Sequence, residues 1–496
     1  MVCESLFKRW QSTCVCILLG AGVFCSVPYV GLSRVQSAEV QFSSPLSVYL
    51  HNNKVAETES DVELVIERGI TKWTGNAALT WDVEIPETDE YELYLIASVS
   101  EIGDGTTLFV KTATDTYPFS VNQTSGPFPG GENFAVQQPL NFERVKLDGV
   151  IALEAGKQKI TLSTSEVEKE GVVIDFRTLE LLPVSKKATI LSDEARAKSA
   201  RASFDWMNKA GYGLMFHWTS QCVQQEGPRK TFEEAVNDFD VQKWADMVEE
   251  TGAGYVYVTI GHAESYCPAP LESWERIHPG QTTQRDLIEE MANALNEKGI
   301  RFLCYINGPL GFKFPRYGQA TPEQKEAFVA NVHDILTEMG NRYGDKIAGY
   351  WFDTMIAIFK EYPQTPFEDL FNAAKTGNKD RLICLNAWIW PDVSPWQDYW
   401  PGEVQEPIAV PVNGFMKNGP SPNLPFQVLL TMEKHSWMAR KSGIPDPKFT
   451  SEQLSSYIKD CMENGGAVTI NMAIFQDGTV GEKALQVMRE VKESIR

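Results

Sequence analysis

The chain has 496 residues, too many for one ordinary domain, and its 43% hydrophobic and 22% charged residues are the proportions of a soluble globular protein. A net charge of -21 and a pI of about 4.9 argue against nucleic acid or an anionic membrane surface as partner, because phosphates would repel it. The acidity reads most simply as a solubilising surface.

The first predicted element is an export signal. Lys8 and Arg9 precede an apolar stretch from Cys14 to about Leu32, and Val35-Gln36-Ser37-Ala38 offers a cut after Ala38. Residues 1–38 therefore read as a signal peptide, which makes the mature protein secreted or periplasmic. An uncleaved N-terminal anchor is the rival, since the stretch nears the length of a spanning helix. The mature part keeps five cysteines: Cys222, Cys267, Cys304, Cys384 and Cys461. An odd, widely spaced set is not a disulfide framework, and without Cys-x-x-Cys a zinc-thiolate site is not expected. Cys304 and Cys384 sit in apolar strand-like runs, as small buried hydrophobes do. Cys222 and Cys267 each follow a strand, and a bond between them stays open.

Residues 39–185 read as all-β. Ala78-Leu79-Thr80-Trp81-Asp82-Val83 alternates, as do Tyr91-Glu92-Leu93-Tyr94-Leu95-Ile96 and Lys159-Ile160-Thr161-Leu162-Ser163. Short alternating strands split by Gly, Pro, Asp and Ser clusters predict a β-sandwich. Thr88-Asp89-Glu90 and Glu154-Ala155-Gly156-Lys157 read as turns, and Gly126-Pro127-Phe128-Pro129-Gly130-Gly131 as an exposed loop. Residues 186–205, charged and Ala-rich at first, read as a linker or short helix.

From 206 to 496 strands and helices alternate, the pattern of a parallel sheet built from βα units. Strands are predicted at Gly213–Trp218, Tyr255–Ile260, Arg301–Ile306, Ile347–Phe352, Leu382–Leu385 and Ala467–Asn471. Helices are predicted at Asp240–Thr251, Thr283–Lys298, Pro322–Tyr343, Ser451–Glu463 and Gly481–Ile495, the first from the one-face spacing of Val241, Trp244, Ala245 and Val248. The pattern leaves strands between Pro391 and Pro447 unplaced. A (β/α)8-like TIM barrel fits best; a doubly wound sheet is the alternative, though no Gly-x-Gly-x-x-Gly loop follows a strand.

In such a barrel the strand ends and the loops after them form the active face. Four apolar runs stop at a reactive side chain: His217-Trp218, His262, Tyr305 with Asn307, and Asp353 in Tyr350-Trp351-Phe352-Asp353. Asp353, between aromatic residues and a loop, suits a nucleophile in a dry pocket, though an Asp there also suits a helix cap. Trp388, Trp390, Trp396, Tyr399 and Trp400 crowd one loop, where flat rings could stack on the apolar faces of sugars or form a core of their own. The same loop offers Glu403 and Glu406 as a partner carboxylate, and a retaining glycosidase needs two carboxyls about 5–5.5 Å apart.

The ordered motifs resemble those of the α-L-fucosidases, glycoside hydrolase family 29. Gly213–Trp218 looks like their GIFIHWG, Val258–His262 like LTAKHHDGF, and Gln284–Ile288 with Gly299–Phe302 like RDLV…GLKVGLYYS. Tyr350–Asp353 matches WFDG, and Asn464–Asn471 with Gln476–Thr479 matches GGNLLLNVGP…DGTI. The resemblance implies Asp353 as nucleophile and Glu403 as general acid/base, from the match of Asp398-Tyr399-Trp400-Pro401-Gly402-Glu403 to a D-[FY]-x-T-x-E segment. It also implies that His217, Trp218, His262, Glu264, Tyr305, Trp351 and Trp388 form the sugar-binding set, with a carbohydrate as partner. No metal or organic cofactor is signalled: there is no His-Glu-x-x-His and no clustered Asp/His set.

Departures fall on the sugar-reading residues. The family's second histidine is Ala263 here, the Gly after His-Trp is Thr219, and the NDRWG segment aligns with Asn386-Ala387-Trp388-Ile389, without its Arg. Losing hydroxyl-reading donors costs discrimination. The β-sandwich also precedes the barrel, where the family's usual β-domain follows it; at fold level it resembles a carbohydrate-binding accessory module. The expectation is a secreted retaining exo-glycosidase of the α-L-fucosidase kind. The alternatives are a non-catalytic sugar-binding barrel, or a glycosidase of other specificity with Glu264 or Glu406 as its acid.

Overall fold

The structure is a computed structural model that describes residues 47–51, 55–59, 62–65, 70–73, 78–124, 143–164, 174–315, 318–387, 394–415, 424–434 and 436–495. The expected signal peptide, the loop at 126–131, Trp388 and Trp390 lie outside the described residues.

Alternation in the first part builds two antiparallel sheets. One orders strands 62–65, 70–73, 174–183, 89–99 and 143–153, with 48–51 also paired to 174–183. The other orders 57–59, 78–85, 156–164, 107–111 and 116–120. Inward residues of both sheets, among them Leu79, Trp81, Leu93, Leu95, Ile160, Leu162 and Phe176, form one buried core. The Trp81 indole N–H donates to the His51 carbonyl at 2.8 Å, which satisfies the polar atom of the largest core ring. The two segments expected as turns lead directly into strands, which start at Asp89 and Gly156.

The strand from Ile174 to Pro183 leads into a helix, Lys187–Ala200, where a linker or short helix was expected. This helix is tied to the second part of the chain by Arg196 to Glu368 at 2.8 Å and by the Trp396 indole donating to Asp193. The Tyr49 and His51 rings pack on Phe359, so strand 48–51 also touches a barrel helix.

Eight parallel strands follow: β1 Tyr212–Phe216, β2 Tyr255–Gly261, β3 Arg301–Asn307, β4 Ile347–Asp353, β5 Leu382–Leu385, β6 Trp400–Gln405, β7 Phe426–Thr431 and β8 Ala467–Asn471. Their order around the sheet is β5-β4-β3-β2-β1-β8-β7-β6, a nearly closed barrel. β6 and β7 are the two strands that pattern alone left unplaced. Alternate residues point inward or outward along each strand, so Tyr305, Trp351 and Leu429 join an inner core while Tyr350 and Phe352 pack under the helices.

Between β5 and β6, whose ladder is missing among the described residues, Asp398 closes the seam. Its backbone N–H donates to the Ile383 carbonyl, and its carboxylate accepts from Ile383 N, Ala202 N and Lys375 Nζ, each at 2.7–2.8 Å. The outer helices start where caps allow. Asp240 accepts from Lys243 N, and Asp286 from Glu289 N, so the helix expected from Thr283 begins at Leu287.

Candidate active site

Strand periodicity explains which side chains reach the mouth of the barrel. Tyr305 and Asn307 share one face of β3, and Trp351 and Asp353 share one face of β4, because successive residues alternate sides. A cavity of about 150 Å³ opens there, lined by His217, His262, Tyr305, Trp351, Asp353, Glu403, Leu429, Trp437, Met438 and Arg440. Phe352, the other aromatic neighbour of Asp353, points away from it into the helical layer.

Among the described residues, four side-chain donors converge on Asp353. Oδ2 accepts from Tyr305 Oη at 2.6 Å, Thr354 Oγ1 at 2.8 Å and Asn307 Nδ2 at 3.1 Å; Oδ1 accepts from Asn386 Nδ2 at 2.6 Å. None of these is a helix N–H, and the next helix, Met355–Glu361, takes no side-chain cap. The capping alternative is thereby set aside. The convergence fixes the carboxylate's rotamer and aims it along the barrel mouth.

Asn386 does a second thing. Its Nδ2 also donates to Glu403 Oε2 at 2.5 Å. Asp353 Oδ1 and Glu403 Oε2 are therefore at most 5.1 Å apart, the sum of the two bonds to the shared nitrogen. Burial pushes the Glu403 carboxyl up to about 8, helped by the negative charge of Asp353 and opposed by the Asn386 bond. One carboxyl protonated beside one held by donors is the division of labour that acid-assisted displacement requires.

His217 stands at the end of β1. Its Nδ1 lies 2.6 Å from Asn471 Oδ1, and Asn471 Nδ2 donates to the Trp437 carbonyl, which orients the amide with its oxygen toward the ring. Nδ1 thus carries the proton and Nε2 is left as an acceptor. Burial, with the His262 charge adding to it, lowers the His217 imidazole to about 4, so the ring is neutral at physiological pH. His217, His262, Tyr305 and Trp437 form a ring cluster with centroid separations of 4.8–5.9 Å. A polar-edged aromatic wall of this kind suits a sugar, which offers hydroxyls at its rim and C–H groups on its faces.

The sequence-predicted set divides. Asp353, Glu403, His217, His262, Tyr305 and Trp351 line the cavity together. Trp218 does not: it is buried between Phe232 and Phe239, with its indole N–H on the Gln476 carbonyl. Being next to His217, it faces the opposite way. Glu264 accepts from Ser220 Oγ at 2.6 Å, and Glu406 pairs with Lys448 at 2.9 Å; neither lines the cavity, which removes both as alternative acids. Trp388 lies outside the described residues. The expected sugar platform of Trp396, Tyr399 and Trp400 is core: Trp396 packs on Phe371, Tyr399 bonds Tyr257, and Trp400 stacks on Phe426. Cys222, Cys267, Cys304, Cys384 and Cys461 are buried and free, so Cys222 and Cys267 form no disulfide.

The sequence reading missed Asn386, Asn471, Trp437, Met438 and Arg440. Asn386 and Asn471 had a legible signal, a polar residue ending an apolar strand run. Trp437, Met438 and Arg440 lie on a segment whose strand, β7, had not been placed.

The sequence model of the family described as Alpha-L-fucosidase matches residues 230–494. The chain belongs to the α-L-fucosidase family. The match includes His262, Tyr305, Asp353 and Glu403, and begins after His217. Among curated relatives, this fucosidase-family chain is 26% identical to human tissue alpha-L-fucosidase over 133 residues, 20% of this chain and 28% of that protein. It is 35% identical to the tissue alpha-L-fucosidase of Bos taurus over 81 residues, 16% of each. The matches thus span less than a third of the curated relatives' length.

Solved structures that resemble it include a bacterial fucosidase with a monovalent iminocyclitol inhibitor, at 18% identity and a TM-score of 0.46 over 59% of this chain and 74% of that one. Another is a trapped covalent intermediate of an α-L-fucosidase from Bacteroides thetaiotaomicron, at 19% identity and a TM-score of 0.46 with the same coverage. In this fucosidase-family barrel Asn386 joins the two carboxylates.

Proposed function

We propose that the protein is a retaining α-L-fucosidase that releases terminal sugars from glycans by double displacement. The observation that carries the reading is the Asn386 amide held between Asp353 and Glu403, with their nearest oxygens at most 5.1 Å apart by the sum of the two bonds. A nearest-oxygen distance no greater than 5.1 Å falls on the side of a retaining pair, about 5–5.5 Å, rather than an inverting one, about 6.5–9.5 Å.

In the first step an Asp353 oxygen forms a bond to the anomeric carbon as the glycosidic C–O bond breaks. The proton on Glu403 passes to the departing oxygen. In the second step Glu403 takes a proton from water, the water oxygen bonds the anomeric carbon, and the Asp353–carbon bond breaks. His217 Nε2 accepts from a sugar hydroxyl, and the Trp351, Tyr305 and Trp437 rings face the C–H surfaces. Neither step calls for a cofactor. Residues 1–38 support export, which puts the reaction outside the cytoplasm.

A panel of aryl glycosides assayed with the wild type and Asp353→Ala tests this. Hydrolysis of the α-L-fucoside, reduced about 10⁴-fold or more by the substitution, is expected. Turnover of no sugar in the panel points to a binding protein instead, and turnover of another sugar alone moves the specificity.

A further inference from the structure

Arg440 is the one fixed cation among the described residues that line the cavity. Arg440 is exposed at the rim; its guanidinium donates from Nη2 to the neutral Gln221 Oε1 at 3.0 Å and, among the described residues, forms no ion pair, whereas Arg276, Arg285, Arg342 and Arg489 do. A guanidinium has five N–H donors in a planar fork, so most of its bonding capacity toward an oxyanion is left over.

The position is built rather than incidental. The segment that carries it is pinned to the rim on both sides: Val223 N–H donates to the Ala439 carbonyl at 2.9 Å, and Ala439 N–H to the Ile474 carbonyl at 3.2 Å. Asn471, the residue that orients His217, holds the Trp437 carbonyl of the same segment. The cation is close enough to His217 to disfavour a second positive charge there.

We propose that Arg440 selects substrates whose terminal sugar carries an anionic substituent, a sulfate ester or a carboxylate. The inference rests on the glycosidase reading and names its substrate class. Placement decides which end of the substrate bears the charge. Arg440 is tied to the loops after β1 and β8, beside His217, whereas the proton donor Glu403 stands on β6. The leaving group departs past Glu403, so the anion belongs to the sugar that is cleaved. A planar guanidinium fork matches the oxygens of a sulfate or a carboxylate better than a single neutral hydroxyl.

The experiment compares 4-nitrophenyl α-L-fucoside, its mono-O-sulfated isomers and a 4-nitrophenyl glycuronide, using wild type, Arg440→Lys and Arg440→Gln. Wild type is expected to prefer at least one sulfated isomer or the glycuronide, and whichever it is identifies the anion. Arg440→Gln should cut the ratio of kcat/KM for that anionic substrate to kcat/KM for the plain fucoside by at least tenfold, and Arg440→Lys by less. An unchanged ratio overturns the proposal. Calorimetric binding of L-fucose, L-fucose sulfates and a free uronic acid to Asp353→Asn, with and without Arg440→Gln, reads the same preference without turnover. Loss of hydrolysis with the anion preference intact would refute only the catalytic reading; equal binding of neutral and anionic sugars would refute this one.

Discussion

In the proposed reaction two residues, Asp353 and Glu403, carry most of the chemistry, and their neighbours decide which does what. Glu403 is effective as an acid only while protonated, and burial together with the Asp353 charge holds its carboxyl at about 8. Activity should therefore fall as pH rises through about 8, a limb belonging to the coupled pair and read from kcat/KM. Glu403→Gln should remove that limb and slow hydrolysis of poor leaving groups by about 10²- to 10⁴-fold, much more than that of activated aryl fucosides. Asn386 donates to both carboxylates from one nitrogen. Asn386→Ala deletes a charge-assisted hydrogen bond to Asp353, worth about 1.5–3 kcal/mol, and a neutral one to the protonated Glu403, so kcat/KM should drop at least about 10-fold. An Asn386→Ala enzyme with unchanged kcat/KM would mean that the bridge is incidental.

Elements were legible where burial imposes a period. The helix from Val241 to Thr251 and the strand from Tyr255 follow directly from their apolar spacing, as does the polar residue that ends β4. Asp353, His217, His262 and Tyr305 could be read because each interrupts such a run at one end of a strand. Trp218 misled because sequence adjacency to His217 says nothing about which side of the loop it faces. Trp396, Tyr399 and Trp400 misled because an aromatic cluster serves a core as well as a sugar. β6 was hidden by Pro401 and Gly402, poor strand formers that the barrel tolerates beside its open seam. The close packing of strands also makes a prediction. A Cβ on Gly213 of β1 would fall 2.0 Å from the Tyr255 ring of β2. Gly213→Ala should destabilise the fold by about 1–3 kcal/mol in denaturant titration, while Gly280→Ala, with open space around it but a left-handed backbone, isolates the separate effect of strain.

At the scale of the whole molecule, the barrel needs its last seam closed for Glu403 on β6 to face Asp353 on β4. Asp398 does this, buried with Lys375 and bonded to β5 and to the segment that enters the barrel. Removing one partner of a buried pair strands the other charge. Lys375→Met should cost about 3–5 kcal/mol in chemical denaturation. The exposed pair Lys483–Asp446 supplies the contrast, since Lys483→Met should change stability by less than about 1 kcal/mol. Equal effects would deny the seam its special role. The central claim remains the covalent role of Asp353, and 2-fluoro-fucosyl fluoride tests it most directly by slowing the second displacement. Intact-mass and peptide mapping should find one fluorosugar, bonded to Asp353, and none on Asp353→Ala; a label on another residue, or no label from an enzyme that turns over α-L-fucosides, would contradict the account.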